Sequence, residues 1–178
     1  MKEEWRVYGK KADFKAIGDK YKIDQVVARI IRNRDIVTPE QYDEYIYGDL
    51  NSLHSPWLLK DMDRAADIVK VAIDEKKPIR IVGDYDIDGI NSIYILYSGL
   101  KRLGADVDYV VPHRVTDGYG INERLIDEAY EAGRRVIITC DNGIAAYSQT
   151  EHAKSLGMTM VVTDHHGVPF EEKDGVRR

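Results

Sequence analysis

From Pro78 onward the sequence alternates strictly between short apolar runs and helical patterns, and this alternation limits the fold more than any other feature. Runs at 79–83, 106–111, 135–140 and 158–163 read as strands, with helices expected at about 90–102, 122–132 and 144–156 between them. Strand–helix–strand alternation implies a parallel sheet joined by right-handed crossovers. The expected fold class is therefore α/β, a doubly wound parallel sheet of four strands. Its first and third strands should lie side by side with a crevice between them, the place where such sheets bind ligands.

Residues 1–60 read instead as a mainly helical region and connector, and residues 61–178 as the sheet domain. Ile23, Val26, Val27, Ile30 and Ile31 recur at helical spacing as one apolar stripe. Thr38-Pro39-Glu40-Gln41 is a helix start with a capping box, and Tyr42, Tyr45 and Ile46 should form that helix's inner face. The segment from Leu50 to Lys60 reads as an extended connector, and Asp61 as the cap of a helix from Met62 to Glu75. The sequence stops soon after its fourth strand, so it is expected to be a fragment of a larger protein.

Chemistry concentrates where the strands end. Asp84, Asp86 and Asp88 follow the first strand, Asp141 the third, and Asp164-His165-His166 the fourth. If alternate residues leaving a strand point the same way, the first three carboxylates face one side, and Gly89 allows a tight turn into the helix. Helix capping would account for one such Asp but hardly for three in five residues. So many acids at one sheet edge repel unless cations neutralise them, and carboxylate with imidazole is a ligand set for Mn²⁺ or Mg²⁺. Asp141 counts through its position, because Asp-Asn-Gly is also a common turn sequence. Adjacent histidines diverge, so one imidazole should bind metal and the other reach toward a phosphate. After the second strand, Arg114 is suited to clamp a phosphate oxygen. The glycines flanking Tyr119 fit a hinge or turn, and local chemistry alone slightly favours that plainer reading of the loop.

Composition sets wider bounds. An apolar share of 43% with 32% charged residues fits a soluble globular protein. The apolar runs are far shorter than the ~20 residues of a membrane span. No basic-then-apolar leader is present, and the single cysteine, Cys140, agrees with a reducing cytoplasm and reads as a core residue. The net charge of −5 at first argues against a nucleic-acid partner. Yet residues 1–34 carry ten Lys/Arg against five Asp/Glu, and much of the later negative charge belongs to the acidic cluster. That basic segment fits a solvated helix face and a phosphate-contacting surface equally well.

These motifs together resemble the DHH phosphoesterase superfamily: Asp84 through Gly89 match its first motif, Asp141 its second and Asp164-His165-His166 its third. Asn33 through Glu40, Leu58 through Ala65, and Pro112-His113-Arg114 with Asp117 through Gly120 resemble the N-terminal part of its RecJ-type branch, the single-strand-specific 5′→3′ DNA exonucleases of repair and recombination. The resemblance implies two divalent ions, Mn²⁺ or Mg²⁺, with Asp86, Asp88, Asp141 and His165 as ligands and Asp84 joining or supporting them. Asp164 would stand close behind. Catalysis would fall to Asp141, His165 and His166, with His166 and Arg114 contacting the scissile phosphate of single-stranded DNA. A single-strand-binding protein or helicase is an implied partner of the complete protein, and no membrane is.

Two departures stand out. Val82 occupies a place where other DHH branches have histidine, with Asp84 expected to compensate. The family's fourth aspartate motif and C-terminal domain are not in this sequence, so the fragment alone is expected to be inactive or a poor nuclease. The alternatives are a phosphoesterase for oligonucleotides, cyclic dinucleotides or pyrophosphate, and a non-catalytic DHH-fold binding module. A receiver-like signalling domain also clusters acids around Mg²⁺ but has no place for Asp-His-His.

Overall fold

The structure, a computed structural model, describes residues 9–170 and the backbone of 172–173 and 176–177. The chain falls into two compact units, Met1–Leu58 and Leu59–Arg178. In the first, α1 (Phe14–Tyr21), α2 (Gln25–Asn33) and α3 (Pro39–Tyr47) each begin at a residue whose side chain accepts from the first turn. Asp13 accepts from Ala16 N–H at 2.9 Å and Asp24 from Val26 N–H at 2.7 Å. At α3 the expected capping box is present: Thr38 Oγ1 accepts from Gln41 N–H, and Gln41 Oε1 accepts from Thr38 N–H. Thr38→Ala strands one of these donors and should cost about 1 kcal/mol. Urea unfolding followed by circular dichroism would read this, and an unchanged midpoint would show that Gln41 and Pro39 suffice to start the helix.

The small core of this unit joins Tyr21, Ile31 and Tyr42, the two tyrosine rings stacking at 5.3 Å. Three expectations change here. Within α2 it is Ala28 and Ile31 that are buried, whereas Val26, Val27 and Ile30 are exposed. The apolar positions spread over more than one helix face, and the buried side, with Ala28 and Ile31, lies off the centre of the stripe. On α3, Tyr42 is buried and Ile46 packs against the core, but Tyr45 stays half exposed. The supposed extended connector contains two 3₁₀ turns, Leu50–Ser52 and Pro56–Leu58. Asp49 nucleates the first by accepting from Asn51 N–H at 2.8 Å.

The second unit is the parallel sheet. Helix α4 (Met62–Asp74) precedes β1 (Ile79–Val82), α5 (Ile87–Arg102), β2 (Val107–Val110), α6 (Glu123–Glu131), β3 (Val136–Cys140), α7 (Tyr147–Ser155) and β4 (Thr159–Thr163). A short antiparallel pair, β5 (Glu172–Lys173) and β6 (Val176–Arg177), follows. The four-strand order is β2-β1-β3-β4, every pairing parallel. Ile79, Ile81, Val136, Ile138 and Cys140 pack on one face with α4 and α5, and Val82 and Ile137 on the other with α6 and α7. Strand alternation thus feeds two helical layers, as expected of a doubly wound sheet.

Asp61 occupies the N-cap of α4 but adopts a left-handed conformation and makes no side-chain cap bond, contrary to its expected role. The opposite correction applies to α5. It starts at Ile87, earlier than expected, because Asp86 caps it. Among the described residues no helix is long and apolar enough to cross a membrane.

Candidate metal centre

The strand order puts the carboxyl ends of β1 and β3 side by side, where the crossovers diverge to opposite faces. Beyond β1 the chain passes through Asp84, which is buried, and turns into α5. Gly89 permits that turn by close approach: a Cβ there would lie 2.4 Å from the Asp84 carbonyl oxygen. Asp86 Oδ1 accepts from the N–H groups of Asp88 and Gly89, each at 3.0 Å.

Asp141 follows β3 directly and is buried, with φ of 61°, a left-handed conformation that Asp tolerates better than most residues. Its N–H donates to Thr163 O at 3.0 Å, and its carbonyl accepts from the Tyr119 hydroxyl at 2.8 Å. Its Oδ1 lies 2.9 Å from His165 Nε2. Asp164, past β4, is tightly held. Its Oδ2 accepts from Ile144 N–H at 2.9 Å, and its Oδ1 meets His166 N–H at 3.1 Å and His166 Nδ1 at 2.7 Å.

Two sets of possible ligand atoms result, each with all members within 4.8 Å of one another: Asp84, Asp86 and Asp141, and Asp141, His165 and His166. Asp141 belongs to both. Asp84 Oδ1 is buried with no hydrogen-bond partner among the described residues. A buried carboxylate oxygen left bare is costly, and a cation would satisfy it while neutralising its neighbours. The donors present thus fit a hard divalent ion.

Electrostatics follow this geometry. The Gly89 N–H holds Asp86 below the usual carboxylate range. Burial pushes Asp141 up; hydrogen bonding to His165 opposes the rise and the Asp86 carboxylate reinforces it. Burial works against ionisation of Asp164, but hydrogen bonds from Ile144 and His166 together outweigh it and keep its carboxyl low. Hydrogen bonding to Asp164 raises His166. The Tyr119 phenol is pushed up to about 12, first by desolvation and then by the surrounding carboxylates, so it keeps its proton. Burial takes the Cys140 thiol to about 11, which agrees with a core residue.

Of the residues singled out in the sequence, Asp84, Asp86, Asp141, His165 and His166 come together, with Asp164 bonded behind His166. Asp88 joins neither set. It sits in the first turn of α5 and lines an open groove of about 510 Å³ with Asn91, Ser92, Asp141 and His165. The three aspartates do not alternate along a strand, because the backbone turns helical straight after Asp86. Arg114 also joins neither set; its guanidinium lies 5.1 Å from the ring of Tyr85, the residue between Asp84 and Asp86. Two polar residues were given no role from the sequence. Tyr119 had its flanking glycines and its place in the Asp117–Gly120 stretch as signals, and Asn142 was hidden inside a turn-like Asp-Asn-Gly.

A doubly wound α/β domain with carboxylates and imidazoles gathered at its switch point defines a class of metal-site proteins. Within it, the chain belongs to the DHH family, whose N-terminal domain matches residues 78–176. It is 35% identical over 166 residues to the single-stranded-DNA-specific exonuclease RecJ of Bacillus subtilis (strain 168), covering 93% of this chain and 21% of that protein. Identity to the Escherichia coli (strain K12) RecJ is 35% over 143 residues, covering 79% and 24%. The crystal structure of an exonuclease RecJ bound to manganese superposes with a TM-score of 0.60 at 36% identity, over 66% of this chain and 30% of that one. RecJ in complex with Mn²⁺ from Thermus thermophilus gives a TM-score of 0.60 at 26% identity, over 91% and 22%. The chain thus spans 21% and 24% of the length of these two curated relatives.

Proposed function

We propose that the whole protein is a metal-dependent phosphodiesterase, a 5′→3′ exonuclease on single-stranded DNA. The observation that carries this reading is Asp141, shared by two ligand sets beside the unpartnered Asp84 oxygen. The similarity to single-stranded-DNA-specific exonucleases supports the substrate, and manganese in two similar structures supports the ion. Asp84, Asp86, Asp141 and His165 would hold two divalent ions, Mn²⁺ or Mg²⁺, Asp141 belonging to both ligand sets. Asp88, which lines the groove with Asp141 and His165, would add a further carboxylate toward the ions. The bound ions would neutralise the phosphodiester and acidify a water.

The chain's own groups do the rest. Asp164 takes the Nδ1 proton of His166 as its hydrogen bond and so fixes that ring's tautomer, as the network of partners requires. Arg114, braced by Tyr85, and His166 in its doubly protonated form would donate to phosphate oxygens. Single-strand-binding protein or a helicase as partners, and a cytoplasmic setting in DNA repair and recombination, belong to the same proposal, since such an enzyme needs its strand presented unpaired.

The test is digestion of a 5′-labelled single-stranded oligonucleotide by the full-length protein. Mononucleotides should appear with Mn²⁺ and vanish with EDTA, and a duplex of the same sequence should be resistant. Digestion that persists in EDTA would overturn the metal centre. Activity confined to small cyclic dinucleotides would overturn the substrate.

A further inference from the structure

One oxygen atom joins two parts of the site that the proposed chemistry treats separately. The Tyr119 hydroxyl donates to the Asp141 carbonyl at 2.8 Å and lies 3.2 Å from His166 Nδ1 and 3.4 Å from His166 Nε2. The two rings meet edge to face at 5.7 Å and 81°. The hydroxyl proton goes to Asp141 and the His166 Nδ1 proton to Asp164 at 2.7 Å, so the hydroxyl oxygen braces the His166 ring beside both nitrogens. Tyr119 belongs to the loop after β2 that also carries Arg114. Asp117 closes that loop by accepting from His113 N–H at 2.7 Å and pairing with Arg124 at 2.5 Å.

Asp141 is a residue whose aim depends on its backbone. Its left-handed conformation is held by two bonds: its N–H to Thr163, within the sheet, and its carbonyl from Tyr119, outside it. The direction of its carboxylate, and hence its membership of both ligand sets, follows from that conformation.

We propose that Tyr119 is a positioning residue that latches the Arg114 loop to the metal centre, setting Asp141 through its carbonyl and His166 through its ring. The inference rests on the metal-centre reading above. Outer partners that orient metal ligands commonly influence metal affinity or activity by about 10–100-fold. The latch also predicts that order in the substrate-side loop and occupancy of the metal site favour one another, by reciprocity of coupled binding.

Tyr119→Phe in the full-length protein keeps the ring and removes only the shared hydroxyl. Mn²⁺ binding measured by electron paramagnetic resonance on the DNA-free protein should weaken about 10–100-fold. The kcat on a single-stranded oligonucleotide should fall while KM changes less than about threefold, as for an interaction made in the transition state. The metal-free unfolding midpoint should stay near that of the parent. Mn²⁺ affinity within twofold of the parent would overturn the inference, and so would a variant that unfolds without metal, because Tyr119 would then be a packing residue. A parent protein that binds no Mn²⁺ would overturn the metal-centre reading itself, an outcome distinct from the other two.

Discussion

Asp141→Ala in the full-length protein is expected to lose about 10³-fold in hydrolysis of single-stranded DNA, more than the 10–100-fold usual for an outer partner of a metal ligand. Asp141 is the one residue common to both ligand sets, so its loss removes an oxygen from each. The loss corresponds to about 4 kcal/mol of transition-state stabilisation. The fold should survive, since a buried carboxylate beside Asp84 and Asp86 is electrostatically unfavourable without a cation. Ala does pay for the left-handed backbone at this position, about 1–2 kcal/mol. Asp141→Asn is therefore the companion variant: it tolerates that conformation and removes only the charge. Both should release few mononucleotides with Mn²⁺ and show little thermal stabilisation by the ion, with native circular dichroism. Near-normal turnover of either would refute the shared role of Asp141.

The sheet was legible because its signals are local and repeated. Four apolar runs separated by helical patterns leave a parallel sheet as the main solution, and the crossover rule then places β1 beside β3. Once those two ends adjoin, the convergence of Asp84, Asp86 and Asp141 follows, and β4 beside β3 adds the histidine pair. The capping box at Thr38 was equally local, since all its partners lie within four residues.

Where the reading failed, a longer-range or competing interaction decided. Asp84, Asp86 and Asp88 were expected to face one side by strand alternation, but capping by Asp86 starts the helix first and puts Asp88 on the groove wall. Val26, Val27 and Ile30 fit a helical stripe, yet the buried side of α2, with Ala28 and Ile31, lies off its centre. Leu50 to Lys60 lacks a long period, and its 3₁₀ turns arise from single residues such as Asp49. Tyr119 could not be assigned because its partners are Asp141 and His166, far along the chain and set only by the topology.

Asn142 is the sharpest such case, and it gives the largest expected effect on stability. In sequence it belongs to Asp-Asn-Gly, which reads as a turn, and Asp serves in turns nearly as well as Asn. In the structure it is fully buried and ties three segments together at the sheet edge. Its Oδ1 accepts from Ile121 N–H at 3.1 Å, and its Nδ2 donates to Val82 O at 3.1 Å and Cys140 O at 2.9 Å. It thereby bonds the ends of β1 and β3 to the loop that carries Tyr119. Asn142→Ala breaks three buried hydrogen bonds and should cost at least about 3 kcal/mol, at roughly 1–3 kcal/mol for each group left without a partner. Asn142→Asp separates the two accounts. If the residue only shapes a turn, Asp should be accepted within about 0.5 kcal/mol, the usual range for substitutions away from special features. If it is a staple, the carboxylate still accepts from Ile121 but sets oxygen against the carbonyls of Val82 and Cys140, and should destabilise at least as much as Ala. Urea unfolding at neutral pH decides between them, and an Asn142→Asp midpoint close to the parent's would show that the three bonds contribute little.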